Sequence, residues 1–421
     1  MKKNLYLIAF LILIVQYSQA HQRFWISPSA DTIPLTELGL GTWKNSTGGL
    51  YAHGKNERPY THDSSGVVIA KEIVPLDTLG NLDEVNGRIV LLSIGMSNTT
   101  QEYSAFKTLA DTFSLKNPKV TVVDGAQGGQ TASIIKNPNA NFWNVINQRL
   151  TQQRVRPLQV QTVWLKEANS NPMAAFPKHA DDLKSDLKII VKVLKSKFPN
   201  LKLVYLSSRT YGGYATTTLN PEPYAYESGF SVKWLIDEQI NGDTSLGYTG
   251  TSAVAPWLSW GPYLWAKGTT PRQDGLVWLR NDFVADGTHP STSGRLKVAN
   301  MLLNFFSSDS STVPWFIKKT ITSTSPDYSD EISNKPIVLM QNYPNPFSVN
   351  TLIKWKSRMV GKTTLTIHDI NGIEVCKLLD ESTSAGEHEI NFNNTELPPG
   401  IYFYKIQINR FSDSKRMVLM E

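Results

Sequence analysis

The sequence predicts an α/β domain with a parallel sheet covered on both faces, followed by a small all-β sandwich. Two patterns carry this expectation. Short apolar runs alternate with longer segments of helical period from Arg88 to Phe306, and beyond residue 335 only short strands and turn signals remain. Length and cysteine content add a third constraint. The 421 residues are too many for one average domain, and a single cysteine forbids an intramolecular disulfide, so packing alone must hold the fold.

At the start, Met1-Lys2-Lys3-Asn4 precedes the apolar run Leu5 to Val15, and Ser18-Gln19-Ala20 supplies small residues for a peptidase. Residues 1–20 therefore read as a secretory signal. The run is shorter than the about 20 residues that a membrane span needs, so no stable span is expected in the mature chain. Residues 21–87 are rich in Gly, Pro, Asn and Thr with weak periodicity, and read as an irregular segment packing on the next domain.

In that domain, residues 88–308, strands are expected at 88–93, 120–123, 160–165 and 201–206, and helices at 102–115, 178–198, 231–240 and 291–306. The second helix is the clearest, because Leu183, Leu187, Val191 and Leu194 recur on one face. Residues 309–335 are rich in Ser, Thr, Asp and Pro, as in Thr322-Ser323-Thr324-Ser325-Pro326, and read as a linker. Residues 336–421 then show short strands at 351–356, 363–367, 388–392 and 401–408, punctuated by Asn371-Gly372 and Pro399-Gly400.

Composition excludes some functions. Aromatics make up 10% and charged residues 19%, which suits a compact extracellular protein rather than a disordered one. The net charge of +6 is dispersed and forms no basic run, so no nucleic-acid partner is expected. His53, His62 and His179 lack ligand spacing, so no metal site is expected.

The densest chemical signal is Asp286-Gly287-Thr288-His289-Pro290-Ser291, with a carboxylate three residues before a histidine at the mouth of a helix. An acid that orients an imidazole is half of a nucleophilic site. The only cysteine, Cys376, lies in the region of different character, within an apolar strand where it reads as a small core residue. That leaves a serine as the nucleophile.

Ligands of an open parallel sheet meet the loops at the carboxyl ends of its strands. After the first strand comes Gly95-Met96-Ser97-Asn98, a strand-to-helix turn where a hydroxyl is accessible and the Ser97 N–H can face an oxyanion. After the second comes Gly125-Ala126-Gln127-Gly128-Gly129-Gln130-Thr131, where missing side chains admit backbone N–H groups close to a substrate. After the third comes Lys166-Glu167-Ala168-Asn169, with the Asn169 amide as a further donor. Read singly, each residue has a plainer account. Ser97 and Gly128 suit ordinary turns, Asn169 a cap, and Asp286 with His289 a cap-and-turn pair. Their order and their loops favour the catalytic reading.

The order Ser97, Gly128, Asn169, Asp286, His289 resembles the four motif blocks of the SGNH hydrolases, also called GDSL-type esterases, over roughly residues 87–308. The resemblance implies a three-layer flavodoxin-like sheet with Ser97 as nucleophile, His289 as base and Asp286 as the acid orienting it. The Ser97 N–H, Gly128 and Asn169 would form the oxyanion hole, with Gly129 leaving the second block ambiguous by one position. Met96 stands where the family usually has Asp, Asn98 where it often has Leu, and Glu167 and Ser170 where it typically has Gly and Asp. The implied chemistry is two-step acyl transfer from a carboxylic ester without metal or organic cofactor.

An O-acetylated polysaccharide is the expected substrate, because the family includes many exported bacterial carbohydrate esterases. Lipid esters are the alternative within that chemistry, although long apolar lid helices are not evident. Tyr211, Tyr214, Trp257, Trp260, Tyr263, Trp265 and Trp278 either stack on sugar rings or pack a long loop that no disulfide holds. Arg209 either lines the cleft or forms a structural ion pair. The alternative function is a non-catalytic surface carbohydrate-binding protein on a degenerate hydrolase scaffold.

Gln341-Asn342-Tyr343-Pro344-Asn345-Pro346-Phe347, Leu397-Pro398-Pro399-Gly400-Ile401-Tyr402 and the closing Lys415-Arg416-Met417-Val418-Leu419-Met420 resemble the C-terminal sorting domain of type IX secretion. This resemblance covers nearly all of residues 335–421. It implies an immunoglobulin-like sandwich, Sec export, the type IX machinery as partner, and delivery to the cell surface or medium. The plainer account is a generic sandwich that spaces the enzyme or binds carbohydrate.

Overall fold

The computed structural model describes residues 32–250, 253–318, 337–369, 372–394, 396–409 and 411–420. The expected export signal and most of the expected linker lie outside them. Within these residues the chain forms two compact units, one of residues 32–269 and 278–318, the other of residues 270–277 and 337–420.

The first unit is built on five parallel strands: β1 (Ile89–Gly95), β2 (Val120–Asp124), β3 (Val160–Lys166), β4 (Leu203–Leu206) and β5 (Trp257–Trp260). Their order across the sheet is β2-β1-β3-β4-β5. Alternate residues of a strand point to opposite faces, and every residue of β1, β3, β4 and β5 is buried, so both faces are covered. This explains the continuous apolar runs in the sequence.

Helices α1 (Tyr60–Lys71), α2 (Ser97–Thr112), α3 (Asn141–Gln152), α4 (Lys178–Lys197), α5 (Tyr224–Ile240) and α6 (Thr292–Ser308) supply the cover. Helix α2 packs on α6, and α4 on α5. Aromatic contacts tie α2 and α6 to the sheet: Tyr103 stacks on Trp164, and Phe106 and Tyr205 meet Phe306 edge-on or tilted. Among the described residues no helix is long and apolar enough to cross a membrane.

The segment before the sheet is less irregular than expected, because it contains the twelve-residue α1. Polar links tie it to the rest of the first unit. Tyr51 Oη meets Ser259 Oγ at 3.1 Å, Lys233 Nζ donates to the Tyr51 carbonyl at 2.6 Å, and Arg58 donates to both carboxylate oxygens of Asp309 at 2.9 and 3.0 Å. Residues 309–318, read as the start of the linker, instead form the helical turn Val313–Phe316, with Trp315 and Phe316 buried.

The second unit contains seven strands among the described residues. Strands β6 (Ile337–Leu339), β7 (Asn350–Ser357) and β10 (Gly386–Asn393) form one antiparallel sheet in the order β10-β7-β6. Strands β8 (Gly361–His368), β9 (Glu374–Thr383), β11 (Gly400–Ile408) and β12 (Phe411–Leu419) form the other, β9-β8-β11-β12. Burial alternates residue by residue in β11, which sends Tyr402, Tyr404, Ile406 and Ile408 into a core shared with Ile353 and Trp355 of the other sheet. Cys376 is half-buried at the edge of that core. Tyr404 Oη donates to the Met340 carbonyl and accepts from the Asn342 N–H, both at 2.7 Å, anchoring the Pro-rich segment that opens the unit.

Candidate active site

In the order β2-β1-β3, the connection from β1 leaves to one side and that from β3 to the other, which opens a crevice between their carboxyl ends. Ser97 sits there as the first residue of α2. Gly95, the last residue of β1, lies against the Lys166 carbonyl and Thr99, so any Cβ would collide with them. The close approach this glycine permits sets Ser97 beside the end of β3. As the first residue of a sixteen-residue helix, Ser97 also offers a backbone N–H without an intrahelical partner.

Ser97 Oγ lies 2.6 Å from His289 Nε2, and His289 Nδ1 lies 2.5 Å from Asp286 Oδ2. A carboxylate only accepts, so the imidazole proton is on Nδ1 and Nε2 is left to accept from the Ser97 hydroxyl. The second carboxylate oxygen, Asp286 Oδ1, accepts the backbone N–H groups of Thr288 and His289, each at 2.9 Å. Partial burial opposes the Asp286 charge. The hydrogen bonds from His289 and Thr288 outweigh it and hold the carboxyl below its usual range.

The turn works because Gly287 adopts φ 68°, with no room for a Cβ beneath the Tyr214 carbonyl. Thr216 secures the Asp286 carbonyl through its N–H at 2.8 Å and its hydroxyl at 3.1 Å. The same loop reaches the end of β3: the Asn171 N–H donates to the Thr218 carbonyl at 3.1 Å and Asn220 Nδ2 to the Asn169 carbonyl at 3.3 Å.

Gly128 is exposed beside Ser97, and a Cβ placed on it would lie 3.7 Å from Ser97 Cβ. Its loop is fixed by the Gln127 N–H to the Gly95 carbonyl at 2.9 Å and by Arg149 to the Ala126 carbonyl at 2.6 Å. Gly129 is also exposed, at φ 75°. Asn169 is engaged on both ends of its amide: Oδ1 accepts the Ser133 N–H at 2.8 Å, and Nδ2 donates to Asp186 at 2.9 Å. The amide has one further N–H.

Beneath these residues lies a buried polar layer that sequence reasoning did not assign. Lys166 pairs with Glu102, both with fully buried side chains, and burial brings the Lys166 ammonium down to about 8 against the pull of Glu102. Burial pushes the Glu167 carboxyl well above its usual range, against the Ala168 N–H and the Arg209 charge. Arg209 is buried here rather than lining an open cleft. Its Nη1 donates to Asn98 Oδ1 at 3.0 Å, and Asn98 Nδ2 donates to the Thr288 carbonyl at 3.1 Å. The sequence placed Asn98 and Lys166-Glu167 in loops and Glu102 at a helix start, where polar residues are ordinary, so it carried no signal for this layer.

The aromatic residues do not present a sugar-stacking face. Trp257, Trp260, Tyr263, Trp265 and Trp278 are 0 to 4% exposed, and the four indole N–H groups are satisfied by Leu50, His62 and Leu264 carbonyls and by Glu222. They pack the loops that no disulfide holds. Tyr211 is buried as well, and Tyr214 is half-buried with its hydroxyl on the Trp278 carbonyl.

No curated protein matches the chain. Among solved structures, PorZ, a surface component of the type IX secretion system of Porphyromonas gingivalis, is similar over 22% of this chain at 15% identity and a TM-score of 0.16; the matched part spans only 12% of PorZ. A Bacteroides fragilis protein described as an acylhydrolase is 13% identical over 59% of this chain and 97% of its own, with a TM-score of 0.31. The periplasmic domain of a Salmonella Paratyphi A lipopolysaccharide acetyltransferase is 14% identical over 58% and 95%, with a TM-score of 0.30. At these scores none of the three bears on activity. Residues 341–420 match the family model of the secretion system C-terminal sorting domain. The second unit is thus a type IX sorting domain, the part that engages that secretion machinery and directs the chain to the cell surface or the extracellular space.

Proposed function

We propose that this protein is a secreted serine esterase of the SGNH type that removes O-acetyl groups from polysaccharides. The observation that carries the reading is the continuous hydrogen-bonded line from Ser97 through His289 to Asp286, set at the carboxyl ends of parallel strands. The strand order supports a flavodoxin-like sheet for the first unit, and the two antiparallel sheets of the second support an immunoglobulin-like sandwich.

In the proposed mechanism His289 Nε2 takes the Ser97 proton as Oγ attacks the ester carbonyl. Asp286 stabilises the imidazolium that forms, and the Ser97 N–H, Gly128 N–H and Asn169 amide hold the oxyanion. The imidazolium then protonates the leaving alcohol. Water, activated by the same imidazole, releases the acid from the acyl-enzyme.

The polar side chains of the loops that carry Gly128 and Asn169 support a polyol as the alcohol. Half-buried Gln130 comes from the Gly128 loop, and exposed Ser170 follows Asn169. An amide and a hydroxyl of this kind suit sugar hydroxyl groups. The test is turnover of an aryl acetate by the full chain and by Ser97→Ala, followed by acetate release from acetylated xylan, pectin, sialic acid and peptidoglycan. The variant is expected to lose on the order of 10⁴-fold or more in kcat. Equal rates would remove the serine mechanism and leave non-catalytic carbohydrate binding.

A further inference from the structure

The nucleophile and its base reside on separate pieces of chain, the first turn of α2 and the Asp286–His289 turn. Their 2.6 Å contact needs something to hold those pieces at a fixed distance. The residue after the nucleophile, Asn98, reaches the carbonyl of the residue before the base, Thr288, with its Nδ2 at 3.1 Å. On its other side Arg209 Nη1 donates to Asn98 Oδ1 at 3.0 Å.

Asn98 and Arg209 are each 3% exposed, and Thr288 is buried. A guanidinium only donates and a peptide carbonyl only accepts, so the Asn98 amide has a single orientation that satisfies both neighbours. Removing it would leave a buried guanidinium N–H and a buried carbonyl without partners. Burial lowers the Arg209 pKa against the pull of Glu102, and a guanidinium stays protonated in a protein all the same.

We propose that Asn98, oriented by Arg209, is a positioning residue that locks the Ser97 turn to the His289 turn and so sets the serine–imidazole distance. The inference rests on the esterase reading for its kinetic readout. Neither residue touches substrate. Their effect passes through geometry, and the chemical step is sensitive to misplacement of about 1 Å, which costs on the order of 100-fold.

Full-chain Asn98→Ala, Asn98→Asp and Arg209→Lys are compared with wild type and Ser97→Ala, using an aryl acetate. Rates are normalised to sites titrated with a fluorophosphonate, so that a misfolded fraction does not enter. Asn98→Ala is expected to lose roughly 10- to 100-fold in kcat with KM within about twofold. Asn98→Asp keeps the acceptor for Arg209 and loses the donor to Thr288, so it is expected to fall with the alanine variant. Arg209→Lys keeps a donor and a charge and is expected to recover most of the rate.

In parallel, the Nδ1–H proton resonance of His289, which reports its hydrogen-bonded geometry to Asp286, is followed by NMR in the full chain and is expected to move in Asn98→Ala and to stay near wild type in Arg209→Lys. An Asn98→Ala kcat within twofold of wild type, or an unmoved His289 Nδ1–H resonance, overturns the bridge. If wild type and Ser97→Ala turn over the ester equally, the esterase reading fails instead, and the His289 resonance still decides the bridge.

Discussion

Glu167 ends up fully enclosed at the carboxyl end of β3, with Oε2 on the Ala168 N–H at 3.0 Å and Oε1 buried without a hydrogen-bond partner. Burial disfavours its charged form, so its folded pKa lies above the ordinary value of 4.5. Such a group binds its proton more tightly folded than unfolded. Its contribution is fully present below pH 4.5 and is lost as pH rises towards the folded value. Glu167→Gln, which cannot ionise, is therefore expected to gain in thermal midpoint relative to wild type as pH is raised from 4 to 9. Midpoints that run parallel over that range would mean that Glu167 is ionised in the folded protein. At the Asp286 carboxyl the opposite balance holds. Asp286 is only partly buried and well supplied with N–H donors, so it stays charged.

The loop from Tyr211 to Asn220 connects two parts of the candidate site, holding the Asp286 turn at one end and the Asn169 loop at the other. Gly287→Ala would place a methyl group against the Tyr214 carbonyl at a φ that alanine adopts only with strain. It is expected to destabilise the first unit by about 1–3 kcal/mol in chemical denaturation and to lower ester turnover through displacement of Asp286. Unchanged turnover would show that the turn tolerates a shifted loop.

The strands β1 to β4 were legible because buried parallel strands read as apolar runs, and α4 because its buried face repeats at helical spacing. Strand β5 was not, since Trp257 and Trp260 occur among other aromatics in a segment resembling a loop. Helix α1 escaped because Thr61, His62, Ser64, Ser65 and Gly66 give it no apolar stripe. His62 and Gly66 are nonetheless buried, and Gly66 admits the Trp257 ring where any side chain would collide. Ser97, Asp286 and His289 could be singled out because each follows or precedes a recognisable element at fixed spacing. The Asn98–Arg209 bridge joins positions 111 residues apart, and no local pattern announces such a pair.

At the scale of the molecule, the sorting domain and the candidate active site belong to different units. Deleting residues 341–420 removes the sorting domain. In a bacterium with type IX machinery it is expected to leave the chain cell-associated instead of at the surface or in the medium, as read by fractionation and immunoblot. Undiminished arrival outside the cell would mean that another part of the chain directs it. A protein with one half-buried cysteine and no disulfide to hold it relies on burial for its stability, and the buried tryptophans of the first unit contribute to it.

The Asp286 side chain has two occupations, one oxygen on the imidazole and the other closing the turn through the Thr288 and His289 N–H groups. The Ser97 hydroxyl has one, its contact with His289. Selection for a stable fold alone would therefore preserve the acid and its turn. On the esterase reading, relatives that lose activity should carry an intact Asp-x-x-His turn and a replaced serine, so Ser97 is the more telling position of the two.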